Sequence, residues 1–457
     1  MSDENGRDAK RPGIPARLTG LAKNPAIRGI AGVFVMKSSI IVANFALIML
    51  AARVLDTDAF GVFSILFAAA GLFCIVATFG QQVSIMRWWN EYTAAGDPAT
   101  LKGALRFSAT AVFAGCVVIA AGFFFWAAST HALLLAAAVT LYMVMQASVT
   151  TSGHLVRTAV GVGAGDGFGN LLVSVPALIY LAAVLLAGRA AEASTIFFLF
   201  AAGGAAAITL HFIFLRRKIR TLFPGFASVR PRYLAAEWRS RSFKLWISNG
   251  LEAANQYLDV LIIGYLMSPA VAGAYFVTTR LANAFATASD TMHMFSTRHI
   301  PDLYYRGEFK QLNGLLNSVA AITLAFIVVG MVIILGGGHL FLAVFNEAYV
   351  PYYPALAVLC FGTAAVAAAG PSGSILMLTG HEGRYLRTIA LTVLVRAAGF
   401  FALIPFFGIM GAVTATTISF VLMTAMLRHQ SKKLTGLDGS VMRLLGMRDR
   451  TAYAPAE

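Results

Sequence analysis

Twelve long apolar runs separated by polar breaks constrain this 457-residue chain more than any other feature. They cover about 29–52, 59–80, 105–127, 131–152, 168–187, 194–215, 243–267, 270–296, 313–335, 352–378, 386–405 and 408–428. An α-helix needs roughly 20 apolar residues to cross the hydrocarbon core of a bilayer. None of the runs alternates apolar and polar residues as a barrel strand does. Helices that satisfy their own backbone hydrogen bonds in lipid are therefore predicted: an all-α, polytopic membrane protein with twelve spans. Composition argues the same way. Apolar residues are 58% and charged residues 12% of the chain, against about 45–50% and 25% in a soluble domain. Such a chain has to face lipid, which argues against a soluble enzyme, a nucleic-acid binder or a secreted disulfide scaffold. Cys74, Cys116 and Cys360 all fall inside apolar runs and read as small buried hydrophobes. No short apolar run with a small-residue cleavage site precedes the first span, so no cleaved signal peptide is expected.

The charge is lopsided, with 35 Lys and Arg against 20 Asp and Glu. With the N-terminus placed in the cytoplasm and twelve spans drawn, thirty of the 35 basic residues fall on the cytoplasmic side. Arg53 and Arg189 alone fall in outside loops, while Lys37, Arg280 and Arg396 lie within spans. Cytoplasmic loops of membrane proteins gather Lys and Arg, so the excess reports topology rather than a nucleic-acid partner, and both ends are expected inside. The outside loops are short. The longest, around 336–351, is too small for the external catalytic domain that enzymes joining sugars on the outer face generally carry.

The longest and most basic break separates two sets of six spans. The expected organisation is a cytoplasmic tail (1–28), a first lobe (29–215), a basic linker (216–242), a second lobe (243–428) and a cytoplasmic tail (429–457). The lobes echo one another. The stretch 59–65 (AFGVFSI) lies over 271–277 (VAGAYFV), pairing Gly61 with Gly273 and Phe63 with Tyr275, and 101–109 lies over 312–320 at nearly the same offset. A duplicated six-helix unit enters the membrane twice in the same sense. It predicts a pseudo-two-fold along the membrane normal and a substrate path between the lobes, which is a transporter architecture.

Ionisable groups inside spans cost several kcal/mol unless paired or wet, so they mark candidate function. Span 1 carries Lys37 and Asn44; span 7 carries Glu252, Gln256 and Asp259; span 8 carries Arg280, Asn283, Thr287 and Asp290; span 11 carries Arg396. The helical spacing on spans 1, 7 and 8 predicts polar stripes converging on one wet cavity. Depth counted along each helix suggests Asp259–Arg280 and Lys37–Glu252 as pairs and leaves Arg396 without an obvious partner. Each pair also fits a purely structural role in fixing the bundle. Asp290 and His293 sit toward the cytoplasmic mouth.

Other motifs carry less. The glycine run 161–169 (GVGAGDGFG) fits no G-x-G-x-x-G register and reads as a flexible loop entering span 5. No phosphate-cradling G-x-x-x-x-G-K-[ST] occurs, and His381-Glu382 lacks the second histidine of a zinc-protease helix, so neither a cofactor nor a metal is implied. Pro176, Pro371 and Pro405 are expected to kink or end helices. The stretch 441–450 reads as a short amphipathic helix on the inner leaflet or as a basic tail.

The stretch Arg53-Val54-Leu55-Asp56-Thr57-Asp58-Ala59-Phe60-Gly61 resembles the R-x-L-x-x-x-x-[FY]-G signature of bacterial polysaccharide (O-antigen type) flippases. Asp259 with Gly264, followed by Ala272, Gly273 and Tyr275, is similar to that family's D-x-x-x-x-G … G-x-Y stretch. Asn346, Glu347 and Tyr349 match a further recurrent feature. Asp56 departs from the pattern, since many members have Gly there. The resemblance spans essentially the whole chain. It implies the multidrug/oligosaccharidyl-lipid/polysaccharide exporter superfamily, with two lobes in a V and a cavity lined mainly by spans 1, 2, 7 and 8. It further implies a polyprenyl-pyrophosphate-linked oligosaccharide as cargo, carried across a bacterial inner membrane. A polysaccharide polymerase and a chain-length regulator would be partners. On this reading Lys37, Arg280 and Arg396 are the cations for the pyrophosphate, Arg53 serves at the outer mouth or anchors its helix end, and Glu252, Asp259 and Asp290 are candidates for ion coupling. The alternatives are a cation-coupled drug antiporter of the same superfamily and a polytopic glycosyl-transfer enzyme.

Overall fold

The computed structural model describes residues 25–445, and side chains within that range except those of 25–35, 37 and 285–298. The first half begins with α1 (Pro25–Val54) and α2 (Thr57–Ala77). Asp56, the residue that departs from the flippase pattern, caps α2 by accepting from the Ala59 amide at 2.7 Å. Phe79 and Gly80 both adopt positive φ, turning the chain into α3 (Gln81–Ala94). Asp97 then caps α4 (Pro98–Thr130), whose first residue is proline, as helix starts favour. α5 (Leu133–Ala159), a π-helical turn (Gly163–Gly167), α6 (Phe168–Leu186) and α7 (Ala193–Leu222) complete this half.

The second half comprises α8 (Ala235–Leu266), α9 (Pro269–Tyr305), α10 (Phe309–Phe345), a 3-10 turn (Glu347–Tyr352), α11 (Tyr353–Ala368), α12 (Ser372–Leu378) and α13 (Glu382–Thr435). At 54 residues a straight α13 would be about 81 Å long, far beyond a bilayer. It is instead a hairpin. Gly408 has φ 54° and ψ −135°, and the two arms fold back on each other, with Ser419 donating to the Thr392 carbonyl at 2.7 Å. A methyl on Gly411 would strike the Leu403 carbonyl, and one on Gly399 would come within 2.9 Å of the Ala415 methyl.

Among the described residues there is no strand, and eight helices are long and apolar enough to cross a membrane. The chain is a polytopic all-α membrane protein. Phe113, Phe125, Leu186 and Phe406 are more than two-thirds exposed, as a lipid-facing surface requires. α8, which carries Glu252, Gln256 and Asp259, is not among the eight.

Several boundaries differ from expectation. The break between spans 2 and 3 holds α3, whose Trp88, Trp89 and Tyr92 are buried against Trp238 of α8. The outside loop around 336–351 is almost wholly helical, because α10 runs on to Phe345 and the 3-10 turn follows. Span 10 is two helices, broken where Gly370 takes φ 57° and Pro371 follows. The basic linker shrinks to 223–234, since α7 and α8 extend into it. The glycine run is ordered rather than loose: His211 bonds the Gly165 carbonyl at 3.0 Å, and Asp166 pairs with Arg157 at 3.2 Å. Those glycines allow close crossing, since a methyl on Gly165 would meet the Gly153 carbonyl and the Arg157 backbone. Near the C-terminus Val441–Leu444 forms a 3-10 turn, and the rest of 441–450 beyond 445 lies outside the described residues. The three cysteines are buried and free.

Arg232 pairs with Asp97 across the linker. The Thr100 amide and hydroxyl, with Arg232 behind them, hold the Asp97 carboxyl below the usual carboxylate range. The halves meet chiefly where α2 packs on α8 and α9. There Gly61 abuts the Pro269 backbone and Gly273 abuts Gly61 and Phe60, so no side chain fits between them. Gly61→Ala is expected to lower stability by about 1–3 kcal/mol or more through overpacking against backbone. Gly122→Ala, with open space around it, should be neutral or stabilise by about 0.5–1 kcal/mol. Thermal unfolding of the two purified variants checks this; equal midpoints would contradict the close seam.

Candidate functional site

The polar residues of the spans separate into two groups. The first surrounds Arg396. Its Nε lies 2.9 Å from the Asp259 carboxylate, and its Nη2 donates to the backbone and side-chain oxygens of Asn255 at 2.9 and 2.8 Å. The other Asp259 oxygen accepts from the Tyr275 hydroxyl at 3.0 Å, and that hydroxyl lies 2.9 Å from Thr416. Asp259 and Arg396 are 8% and 1% exposed. Asp259 thus pairs with Arg396, not with Arg280, and Arg396 is not the partnerless cation the sequence suggested. The cause is rotational. Asp259 lies one turn from Asn255 on the face of α8 toward α13, whereas Gln256 points elsewhere, so the supposed stripe is split between two faces.

The second group lines a cavity of about 290 Å³. Asn44 comes from α1, Gly71 and Cys74 from α2, Tyr142, Gln146 and Thr150 from α5, Asn170 and Ser174 from α6, Phe200 from α7, Gln256 and Tyr257 from α8, and Arg280 from α9. The walls therefore include spans 1, 2, 7 and 8, as the resemblance implied, together with spans 4, 5 and 6. The cavity lies at the junction of the halves but is displaced into the first.

Arg280 is the one charged residue among the described residues lining this cavity. Its guanidinium sits 4.8 Å from the centre of the Phe276 ring, one turn earlier on α9, and no carboxylate among the described residues pairs with it. A cation–π contact contributes about 0.5–2 kcal/mol, whereas withdrawing an ion from water costs several. The ring alone cannot hold this charge, so Arg280 needs water or an anion in the cavity. The rest of the lining is neutral and hydrogen-bonding. Asn44 accepts from Ser174 at 3.2 Å, Asn170 donates to the Asp166 carbonyl at 2.8 Å, and the buried Gln146 amide oxygen has no partner among the described residues. Gly71 leaves room for the Tyr257 ring, which a methyl there would strike.

Of the sequence candidates, Asn44, Gln256 and Arg280 meet in this cavity, and Asp259, Arg396 and Arg53 do not line it. Glu252 is exposed on α8 one turn before Gln256, and Asn283 is exposed on α9. The side chains of Lys37, Thr287, Asp290 and His293 lie outside the described residues, and with them the Lys37–Glu252 pair. Tyr142, Gln146 and Thr150 were missed, although their i, i+4, i+8 spacing marks one helical face. Arg53 acts at one end of the bundle. Its Nε donates to the Val344 carbonyl at 2.6 Å, while Asn346 donates to the Ala52 carbonyl at 3.3 Å. Phe45 against Phe345 and Phe60 against Tyr349 close the same end between the halves.

These assignments separate two arginines by stability. Arg396→Ala strands a buried carboxylate and is expected to cost about 3–5 kcal/mol, read as a lower unfolding midpoint. Arg280→Ala, which removes an unpaired cation from a cavity, should leave the midpoint near wild type. The opposite order of midpoints would reverse the two roles.

No family model and no curated protein matches the chain. Solved structures do. A multidrug resistance MATE family transporter of the MOP superfamily, in an inward-facing conformation, matches with TM-score 0.67 at 10% identity, over 92% of this chain and 99% of that one. The lipid II flippase MurJ, in an inward closed conformation, matches with TM-score 0.59 at 12% identity, over 91% and 93%. A MOP superfamily transporter from Pyrococcus furiosus, described as having a binding pocket of reverse polarity that suggests a different function, matches with TM-score 0.53 at 11% identity, over 89% and 95%. Over nearly its whole length, the chain has the fold shared by these MOP superfamily transporters.

Proposed function

We propose that the protein is a flippase for a polyprenyl-pyrophosphate-linked oligosaccharide, acting in polysaccharide biosynthesis across a bacterial inner membrane by alternating access. The observation that carries this reading is Arg280, a cation in a cavity whose other described lining groups are amides, hydroxyls, aromatic rings and aliphatic side chains. A sugar–phosphate headgroup needs a positive charge for its phosphates and neutral donors and acceptors for its hydroxyls. At about 290 Å³ the cavity is near the small end of ligand pockets, about 300–1,000 Å³. It suits part of a headgroup while the lipid chain stays in the bilayer.

A cation-coupled drug antiporter is the second reading, favoured by the multidrug transporters among the structural neighbours. Such a site calls for a carboxylate facing the cargo. Asp259 is engaged by Arg396 instead, and Glu252 is not among the lining residues, so the flippase reading is preferred.

With both termini placed in the cytoplasm, as the basic residues favour, the Arg53 end faces outward. Its interhalf contacts then shut the outer side, and the headgroup enters from the cytoplasmic leaflet. Lys37, one turn-pair before Asn44 on α1, is the second cation assigned to the pyrophosphate.

Cells lacking the protein are expected to accumulate a lipid-linked repeat unit on the inner leaflet and to stop exporting polymer. Arg280→Ala should restore export to less than about a tenth of wild type, which corresponds to the loss of one charge-assisted contact of about 1.5–3 kcal/mol, and Arg280→Lys should restore an intermediate level. Normal export by a membrane-inserted Arg280→Ala protein would contradict the proposal. Unchanged polymer together with altered drug resistance in the knockout would favour the antiporter.

A further inference from the structure

A second cavity, of about 550 Å³, runs between α4, α5 and α7 on the outside of the first half. Exposed Phe113 and Phe212 flank it, which places it on the surface that meets lipid. Along α4 it extends from Lys102 to Cys116, about 21 Å at 1.5 Å per residue. One leaflet of hydrocarbon is about 15 Å deep, so the groove has the length of a single leaflet with part of its interface.

Its wall is apolar by construction. Four hydroxyls line it, and each is bonded within the protein. Ser108 donates to Gln81 at 2.9 Å, Ser148 to the Val144 carbonyl at 3.0 Å, and Thr151 to the Ala147 carbonyl at 3.0 Å. Ser152 donates to the Ser148 carbonyl at 2.8 Å. Each hydroxyl proton is thereby committed, so none is free to donate to a sugar.

The charge is confined to one end. Lys102 uses its three N–H groups on the carbonyls of Phe226, Ala227 and Val229, at 3.1, 2.7 and 2.8 Å, and so ties the linker across the mouth. Arg106, one turn further along α4, lines the groove, is exposed, and has no carboxylate partner among the described residues. A greasy channel one leaflet long with an available guanidinium at its interfacial end matches a lipid with a negative headgroup.

We propose that this groove holds one anionic phospholipid of the leaflet on the basic-linker side, its acyl chain along α4, α5 and α7 and its phosphate at Arg106. The tail of the transported cargo is a poorer fit. Tyr142, Gln146 and Thr150 of α5 line the Arg280 cavity, while Val144, Ser148 and Thr151 line the groove. The two sites are on different faces of one helix, and a cargo with its headgroup at Arg280 would have to pass around α5 to reach the groove. The bound phospholipid instead buttresses α5 from behind.

The test is native mass spectrometry of the purified full-length protein with phosphatidylglycerol or phosphatidylcholine of identical chains. Wild type should retain one phosphatidylglycerol about fivefold more than phosphatidylcholine, the effect of one interfacial basic residue. Arg106→Ala should abolish that preference, and Ala109→Trp, which fills the groove from an exposed position, should reduce retention of both lipids. Equal retention of the two lipids by wild type overturns the proposal, as does wild-type behaviour in both variants. Displacement of phosphatidylglycerol by a polyprenyl phosphate, lost in Ala109→Trp, would assign the groove to the cargo's tail and also overturn it.

Discussion

A guanidinium carried into a bilayer must be paired or wet, and this one constraint sorts the arginines of the spans. Arg396 is paired. Asp259, Asn255, Tyr275 and Thr416 close a buried network around it, bonding α8, α9 and α13 together. Arg280 has an aromatic ring beside it and a cavity before it. Two residues of the same type, both in apolar helices, thus have opposite consequences: one fixes the bundle and the other leaves a charge available to a ligand.

The three stretches that carry the flippase resemblance converge away from that cavity. Arg53 and Asn346 cross-bond the ends of α1 and α10, Phe60 packs on Tyr349, and Gly61 and Gly273 bring α2 and α9 into backbone contact. Asp259 meets Tyr275 a few turns away. Arg53, Asn346, Phe60, Tyr349, Gly61 and Gly273 join the two halves, whereas the Asp259–Tyr275 contact lies within the second half. The motifs describe the packing of helices on one another, and the residues that line the cavity lie outside them.

Much of the fold was legible in the sequence because lipid imposes a length and a composition on any helix that crosses it. The all-α polytopic architecture and the break near Pro405 follow from runs and interruptions alone. What was not legible depends on rotation about a helix axis and on close approach. Counting residues gives a depth along each helix, but it does not say that Asp259 turns toward α13. Composition makes 161–169 look loose, whereas its glycines allow a tight crossing with α5. Polar loops such as 81–94 look unstructured until Trp88 and Trp89 find Trp238 across the linker. In the cavity, Asn44, Gln256 and Arg280 stood out as polar residues in apolar runs. Gln146 and Thr150 did not, because the run 131–152 holds no Asp, Glu, Lys or Arg to draw attention to its polar face.

The central claim is that Arg280 makes the cavity a wet, positive compartment. The direct measurement is the reactivity of a cysteine placed at Gln146, with Cys74, Cys116 and Cys360 replaced, toward small thiol reagents of equal size and opposite charge. The anionic reagent should react several-fold faster than the cationic one, and the bias should vanish when Arg280 is replaced by Ala. No reaction with either reagent, or faster reaction with the cationic one, would contradict it.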